Sequence, residues 1–169
     1  METKQYPDLK PGIRTIQEIF KGVKSNPKNC RSVIYKLEDL TDEGKLKMLK
    51  DHPNWIVHIF NNGAVSKEEL LYYELVRQAE PNQTVENGFW IVEGVTINQN
   101  GGDCYAFSGA VINQSRGYCN AYSGAIVNQS GGNCNASSGV VVNQSGGYCD
   151  ANSGAVINQS GDGGTINRI

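Results

Sequence analysis

The fold is decided by four consecutive segments of the chain: NQNGGDCYAFSGAVI (98–112), NQSRGYCNAYSGAIV (113–127), NQSGGNCNASSGVVV (128–142) and NQSGGYCDANSGAVI (143–157). They repeat every 15 residues without an insertion. A unit of this length with a glycine-rich turn is too short for a pair of helices and is typical of one coil of a β-solenoid. The repeat therefore predicts a stack of parallel coils.

Two imperfect copies flank these four. The copy before them, QTVENGFWIVEGVTI (83–97), keeps Gly94 and Ile97 in phase and has Phe89 in place of the cysteine. The copy after them is shortened, with residues 165–167 in phase and the Cys-Ala strand deleted. The predicted coils are therefore 83–97, 98–112, 113–127, 128–142, 143–157 and, in part, 158–169.

Charge divides the chain into two regions. Residues 1–97 hold 13 of the 15 Lys and Arg and 14 of the 17 Asp and Glu, whereas the rest of the chain has no Lys and no Glu. The sequence thus predicts an α+β protein in which a small α-rich domain (1–81) caps a C-terminal β-solenoid of 15-residue coils (82–169). The formal net charge of −2 gives no electrostatic reason to expect a nucleic acid or a membrane as partner.

The α-rich domain is predicted from spacing and from helix-end signals. Apolar residues recur at helical spacing in residues 13–23. Thr41 is placed to begin a second helix, and Ser66 with Glu69 forms a capping box at the start of a third. We expect Pro81 to end the third helix, because proline cannot continue the hydrogen-bond ladder.

One stretch of this domain resembles a known repeat. Residues 49–71, LKDHPNWIVHIFNNGAVSKEELL, are similar to one unit of the HEAT-like repeats called leucine-rich repeat variants. In these repeats an Asp and a loop precede a helix with Val and an Ala-x-Asn ending, and a Pro or Ser with Glu and Leu opens the next helix. His58 stands where that family has Arg. The resemblance implies a helical scaffold and no activity.

Invariant positions identify one inward strand of the coil. Cys104, Cys119, Cys134 and Cys149 form one column, and Ala106, Ala121, Ala136 and Ala151 form another two residues later. The positions beside them vary freely. Because side chains alternate across a strand, we expect Cys and Ala to point inward.

The second strand of the coil is harder to orient. Aligning the two half-repeats on the frame Gly, five residues, Ser-Gly matches Ile126 with Cys134 and Asn128 with Ala136. This alignment predicts a buried column of Val111, Ile126, Val141 and Val156, with buried asparagines 113, 128, 143 and 158 that hydrogen-bond along the axis. The outward columns are then Ala110, Ala125, Val140 and Ala155; Ile112, Val127, Val142 and Ile157; and glutamines 114, 129, 144 and 159. The opposite register exposes the Val111 column instead, so one aliphatic column faces outward in either case.

Residues 98–159 also resemble, in outline, the β-rolls of grass-type ice-binding proteins, whose units read Asn-x-Val-x-Gly. Here Val and Asn stand in the opposite order, as Ile126 and Asn128 show, and half of the strands carry Cys and Ala instead. Outward rows of Thr or Ser are absent from the repeats. The resemblance implies a two-sheet β-roll, with ice binding as an accompanying possibility.

No residue pattern points to a catalytic or a metal site. The repeat cysteines lack the paired Cys-x-x-Cys spacing of zinc sites. Neighbouring coils place their Cα atoms ~4.8 Å apart, which permits a disulfide, but a column of small buried hydrophobes is the simpler interpretation. His52 and His58 lie far from any matching acid or cysteine pattern. We expect no enzyme activity, no metal and no cofactor.

Aromatic residues crowd the outward side of the first two repeats: Tyr105, Phe107, Tyr118 and Tyr122. They could form a platform for a ligand or a carbohydrate. Alternatively, the α-rich domain folds over them. We favour the second interpretation, because the aromatic residues become fewer toward the C-terminus.

The predicted function follows from the uncharged surface of the repeats. A flat aliphatic face on a soluble protein usually marks an interface. We expect a non-enzymatic protein-binding module that self-associates as a homodimer or higher oligomer through this face, or that binds another protein. The alternatives are ice binding and a β-helical inhibitor of a nucleic-acid enzyme, against which the scarcity of Asp in the repeats argues. No signal-peptide core or membrane-length apolar run is seen, so we expect a cytoplasmic location.

Overall fold

The computed structural model describes residues 9–25, 36–161 and 163–169. It divides into two compact units, residues 1–75 and 76–169. The first unit contains short helices, and the second is a parallel β-solenoid of about six turns. Residues 76–81, which the sequence assigned to the α-rich domain, belong to the solenoid unit, because Arg77 and Gln78 pair with a solenoid strand.

The helices of the first unit are α1 (Ile16–Ser25), α2 (Asp42–Asp51), α3 (Pro53–Asn61) and α4 (Lys67–Tyr72). Thr41 caps α2, since its hydroxyl accepts a hydrogen bond from the Gly44 N–H at 3.2 Å. The predicted capping box is confirmed at the start of α4: the Ser66 hydroxyl accepts from the Glu69 N–H at 3.1 Å, and the Glu69 carboxylate accepts from the Ser66 N–H at 2.8 Å. Their inward faces bury Ile19, Val23, Leu46, Leu49, Ile56, Ile59 and Leu70.

The solenoid strands are β1 (Arg77–Gln78), β2 (Thr84–Val85), β3 (Phe89–Val92), β4 (Thr96–Ala106), β5 (Val111–Ala121), β6 (Ile126–Gln129), β7 (Asn133–Ala136), β8 (Val141–Gln144), β9 (Tyr148–Ala151), β10 (Val156–Gln159) and β11 (Thr165–Arg168). All of their pairings are parallel. β4 and β5 run through a turn and contribute to both faces of the solenoid.

The two faces are formed by different parts of each coil. Sheet A consists of β2, the first halves of β4 and β5, then β6, β8 and β10. Sheet B consists of β1, β3, the second halves of β4 and β5, then β7, β9 and β11. From β4 to β9, residues of successive coils pair in the register of the repeat, as Cys119 does with Cys134 and Ile126 with Val141. The 15-residue coil is therefore confirmed.

Two unequal turns join the sheets. The short turn, residues 130–132 in the coil that begins with β6, separates β6 from β7. The long turn, residues 137–140, separates β7 from β8. Gly132 in the short turn has φ +73°, and a Cβ atom there would lie 2.7 Å from the carbonyl oxygen of Gly117 in the preceding coil. Only glycine fits this close approach of stacked backbones.

The interior of sheet B is as predicted. The cysteines and alanines of the repeat are buried and belong to one continuous core: Cys104, Ala106, Cys119, Ala121, Cys134, Ala136, Cys149 and Ala151. The cysteines are in register across four strands, so each sulfur atom lies one coil away from the next sulfur atom of the column. The variable positions beside the cysteines are more exposed, as Asn133 and Tyr148 show.

The residues buried beneath sheet A show that the register preferred from the sequence is wrong. Ile112, Val127 and Val142 are 0 % exposed, whereas Ile126 is 38 % and Val156 is 52 % exposed. The predicted interface residues therefore line the core, with Ile157 partly buried against it: Ala110, Ile112, Ala125, Val127, Val140, Val142, Ala155 and Ile157. The glutamines 99, 114, 129 and 144 are buried with them.

The error has a physical cause in the turns. The short turn has one residue fewer than the long turn, so the two half-repeats are not equivalent. Aligning them on their Gly and Ser residues shifted sheet A by one position, and a shift of one residue moves every side chain to the opposite face. The correct alignment matches Val127, rather than Ile126, with Cys134 as inward residues.

Both imperfect copies also differ from expectation. Trp90, not Phe89, takes the cysteine position, since Trp90 pairs with Cys104 and packs in the core. In the last copy the strand that corresponds to the Cys-Ala strand is present, whereas the sequence predicted that it is deleted. β11 pairs with β9 and places Ile166 opposite Cys149. The last coil contains two additional residues before β11, so its register differs from that of the other coils.

The register of sheet A can be tested with two neighbouring valines. Val142→Asp places a carboxylate in the core without a partner, and we expect it to lower the free energy of unfolding by at least about 4 kcal/mol. Val141→Asp places the same group on the outward side, with an expected loss of about 1 kcal/mol or less. Urea denaturation followed by circular dichroism measures both. The opposite order of the two losses would show that the register is inverted.

Candidate interaction surface

The outward side of sheet A carries two columns of identical or similar side chains. One is aliphatic and consists of Val111, Ile126, Val141 and Val156. The other consists of Asn98, Asn113, Asn128, Asn143 and Asn158. We call the two columns together the Val-Asn face. Its strands contain no charged residue in the ranges 96–99, 111–114, 126–129, 141–144 and 156–159.

The asparagines of this face hydrogen-bond to one another along the solenoid axis. The Nδ2 atom of each donates to the Oδ1 atom of the asparagine one coil earlier, at 3.1 Å for Asn113, 2.9 Å for Asn128, 2.8 Å for Asn143 and 2.9 Å for Asn158. The predicted hydrogen bonding is therefore confirmed, but the prediction that the asparagines are buried is wrong. Each amide is held in one orientation before any partner arrives, which reduces the entropy lost on binding.

Buried glutamines on the inward side of sheet A hold its strands in position. Gln129 Nε2 donates to the carbonyl oxygen of Gly132 at 3.1 Å and to that of Tyr148, in the next coil, at 2.9 Å. Gln99 and Gln114 make the same pair of bonds in their own coils. Gln144 repeats them at 3.4 and 3.3 Å and also donates to Gln129 Oε1 at 3.1 Å. Each glutamine thus closes its short turn and ties two successive coils together.

The aromatic residues that the sequence grouped do not form one exposed platform. Tyr105 is 0 % exposed and packs edge-on against Phe89, with ring centroids 4.7 Å apart. Phe107 and Tyr122 are stacked at 5.0 Å, and Tyr122 also lies 5.9 Å from Tyr105. Burial raises the pKa of Tyr122 to about 12. Tyr118 is separate from this cluster, and burial raises its pKa.

The cysteine column holds buried free thiols. Burial, with a smaller contribution from Asp103, raises the pKa of the Cys104 thiol to about 12. The hydrogen bond with Cys119 is the largest cause of the raised pKa of Cys134. Among the residues that the structure describes, no group of three or more His, Cys, Asp or Glu could hold a metal ion. The thiols therefore act as small hydrophobic side chains.

Comparison with known protein families, curated proteins and solved structures finds no match for this chain. The architecture is consistent with a β-roll. The resemblances to grass-type ice-binding proteins and to leucine-rich repeat variants gain no support from these comparisons. In the described residues, no helix is both long enough and apolar enough to cross a membrane.

The repeat pattern alone did not favour the Val-Asn face, and the Val111 column was the alternative outward column. Two signals in the sequence distinguish the registers. The first is the unequal length of the turns. The second is the glutamine before each short turn, whose longer side chain reaches carbonyl groups across the turn.

The state of the cysteines gives a direct test of this interior. We expect the four repeat thiols to resist an aromatic disulfide reagent at neutral pH, because burial excludes the reagent. A raised pKa also keeps the thiols of Cys104, Cys134 and Cys149 protonated. A Cys30→Ser background removes the fifth cysteine, which lies outside the described residues. Labelling should reach four thiols per chain only after guanidinium is added. Rapid labelling in buffer alone would contradict the buried column.

Proposed function

We propose that this is a non-enzymatic interaction protein that self-associates through the Val-Asn face. One observation carries the proposal: an exposed aliphatic column lies beside an ordered asparagine column on a sheet without charge. Exposed apolar side chains cost about 25 cal/mol per Å² of surface in water. A second copy that covers them removes this cost without leaving a buried charge.

The chemistry of the face suits a second copy of itself. Identical side chains in register on parallel strands, with hydrogen-bonded asparagines, are the features of a sheet surface that interdigitates with its own copy in steric zippers. A two-fold axis that lies between the two copies, parallel to their sheets, brings the face against its own copy. Ile126 and Val141 lie near the centre of the aliphatic column, so they would lie near the centre of the interface.

The size of the face sets the strength of association. Five strands at about 4.8 Å, each about 13 Å long, give a face of roughly 300 Å². Stable interfaces bury about 800 Å² on each partner. We therefore expect a weak dimer whose population rises with concentration through the micromolar to millimolar range.

Ice binding is a second candidate for the same face. The supporting observation is the constant spacing of ordered amides and aliphatic groups on a flat, uncharged sheet. This function requires a monomer with its face free to meet a crystal. It also predicts that growing ice crystals become faceted at micromolar protein concentration, which self-association does not.

A charge variant of the Val-Asn face and a matched control variant distinguish self-association through this face from a nonspecific effect of charge. Ile126→Asp combined with Val141→Asp should leave the chain folded and monomeric, because both side chains point outward and two like charges would meet their copies across the interface. The matched control is Asn133→Asp combined with Asn152→Asp, which adds the same charge on β7 and on the long turn after β9, outside the Val-Asn face, and should leave the dimer intact. Sedimentation velocity across the concentration range measures the mass. A wild-type protein that remains monomeric at millimolar concentration, or faceted ice crystals, would overturn self-association.

A further inference from the structure

The short turns of the first four coils line one open, polar groove. Its lining residues, all exposed, are Glu86, Asn100, Ser115, Arg116 and Ser130. Glu86 directly follows β2 in the first coil, and the other four belong to the next three coils. None of them is part of the Val-Asn face, so the groove is independent of the surface proposed for self-association.

Two of the lining residues depart from the repeat. Arg116 stands at a position that is glycine in the other three complete repeats, and Asn100 stands at a position that is serine in them. Arg116 is also the one Lys or Arg of the sequence between residues 98 and 157. Asn100 and Arg116 pair with each other across adjacent coils. The two departures therefore lie side by side in the structure.

The stacking of the coils is irregular where Arg116 is accommodated. A Cβ atom at the corresponding glycines would lie close to a backbone carbonyl oxygen of the preceding coil, at 2.1 Å for Gly101 and 2.4 Å for Gly131. The pairing of β4 with β5 shifts register on both sides of Asn100, where that residue meets Arg116. Bulges of this kind re-aim side chains and are frequent next to active sites. The interruption of the repeat thus places a guanidinium group in the groove.

Donors and acceptors are separated along the groove. Among the residues that the structure describes, the side chains of Glu86 and Arg116 have no hydrogen-bond or ion-pair partner. Asn100 Oδ1 accepts from Ser115 Oγ at 2.8 Å, which leaves Asn100 Nδ2 as a donor. Ser130 Oγ donates to a backbone carbonyl of the preceding coil at 3.1 Å. The two serine oxygens therefore offer lone pairs to a ligand, as Glu86 does, whereas Asn100 and Arg116 offer N–H groups.

The distance between the two charges defines the length of a ligand. Val85 pairs with Gln99. Glu86 and Asn100 are the residues that follow them, and Asn100 pairs with Arg116 in the next coil. Glu86 and Arg116 are thus two coils apart, which amounts to about 9.6 Å. A charge-assisted hydrogen bond at each end takes about 2.8 Å, which leaves about 4 Å between the ligand's own charged atoms. The ammonium nitrogen and carboxylate oxygens of an α-amino acid lie close to this separation.

We propose that the groove binds a free, zwitterionic α-amino acid, with Arg116 and Asn100 on its carboxylate and Glu86 on its ammonium group. A planar guanidinium group binds a carboxylate through two parallel hydrogen bonds. The serine oxygens beside the site accept hydrogen bonds, so they favour a ligand side chain that ends in a hydroxyl or amide donor. An inorganic anion would be attracted by Arg116 but repelled by Glu86.

NMR titration of the isotope-labelled full chain with L-serine tests this site. We expect saturable shifts of the backbone amides of Asn100, Ser115 and Arg116, with a dissociation constant of roughly 1 mM at low ionic strength, because exposed charges are screened by water and salt. N-acetyl-L-serine lacks the ammonium group, ethanolamine lacks the carboxylate, and inorganic phosphate is a simple anion. Each of the three should bind at least about tenfold more weakly than L-serine.

Variants separate the groove from the fold. Arg116→Gly restores the glycine of the other repeats, so the chain should stay folded while L-serine binding weakens at least about tenfold. Glu86→Gln should weaken L-serine binding by a similar factor and reduce the preference for L-serine over N-acetyl-L-serine. Arg168→Gln removes the arginine of β11, outside the groove, and should leave the affinity unchanged. Circular dichroism checks that each variant is folded.

Three results would each overturn the proposal. The first is a lack of saturable shifts up to about 20 mM L-serine, well above the expected dissociation constant. The second is binding of N-acetyl-L-serine or phosphate as tight as that of L-serine, which would show a site for anions in general. The third is unchanged L-serine affinity in the folded Arg116→Gly variant.

Discussion

The solenoid depends on the hydrogen bonds that buried glutamines make across the short turns. In each inner coil one side-chain amide donates to a carbonyl of its own turn and to a carbonyl of the next coil, as Gln114 does to Gly117 and Asn133. A side-chain amide N–H that is buried without an acceptor costs about 1–3 kcal/mol. These carbonyls supply the acceptors for the glutamine inside a core otherwise made of aliphatic side chains and thiols. The turn carbonyl of Gly132 also accepts the backbone N–H of Tyr148 in the next coil, at 2.9 Å. The glutamine is therefore the residue that fixes which side of sheet A faces inward.

The inward residues of each sheet determine which side chains form its outward surface. With the glutamines inside, alternation along the strand places Ile126 and Asn128 outside on sheet A. The asparagines then bond to one another, and the aliphatic column beside them stays uncovered. On sheet B the inward Cys and Ala leave positions of variable chemistry outside, where Tyr148 and Asp150 are found. One coil thus carries a uniform, weakly apolar face and a varied polar face.

The sequence was sufficient for the architecture and for half of the interior. The repeat length predicts the coil, and the contrast between invariant and variable positions identifies Cys119 and Ala121 as inward residues, as the structure confirms. Sheet A could not be oriented in the same way, because Val127 and Ile126 are both aliphatic and each precedes an invariant amide by two positions. Which side of sheet A faces inward depends on whether Gln129 or Asn128 can reach the turn carbonyls, which is a property of the three-dimensional structure. Likewise, the register of Trp90 depends on a coil one residue shorter than the rest, which an alignment at constant period cannot show.

Exchange of side-chain amide protons in heavy water, followed by NMR, tests the glutamine column most directly. The Nε2 protons of Gln99, Gln114, Gln129 and Gln144 should persist after the other side-chain amides have exchanged, because these glutamines are buried and bonded to two coils. Gln159, which is exposed in the last coil, serves as the internal control and should exchange rapidly. The Nδ2 protons of Asn113 and Asn143 should also exchange early despite their mutual hydrogen bonds, because water reaches them. Persistence of the asparagine protons with rapid loss of the glutamine protons would contradict the structure's register.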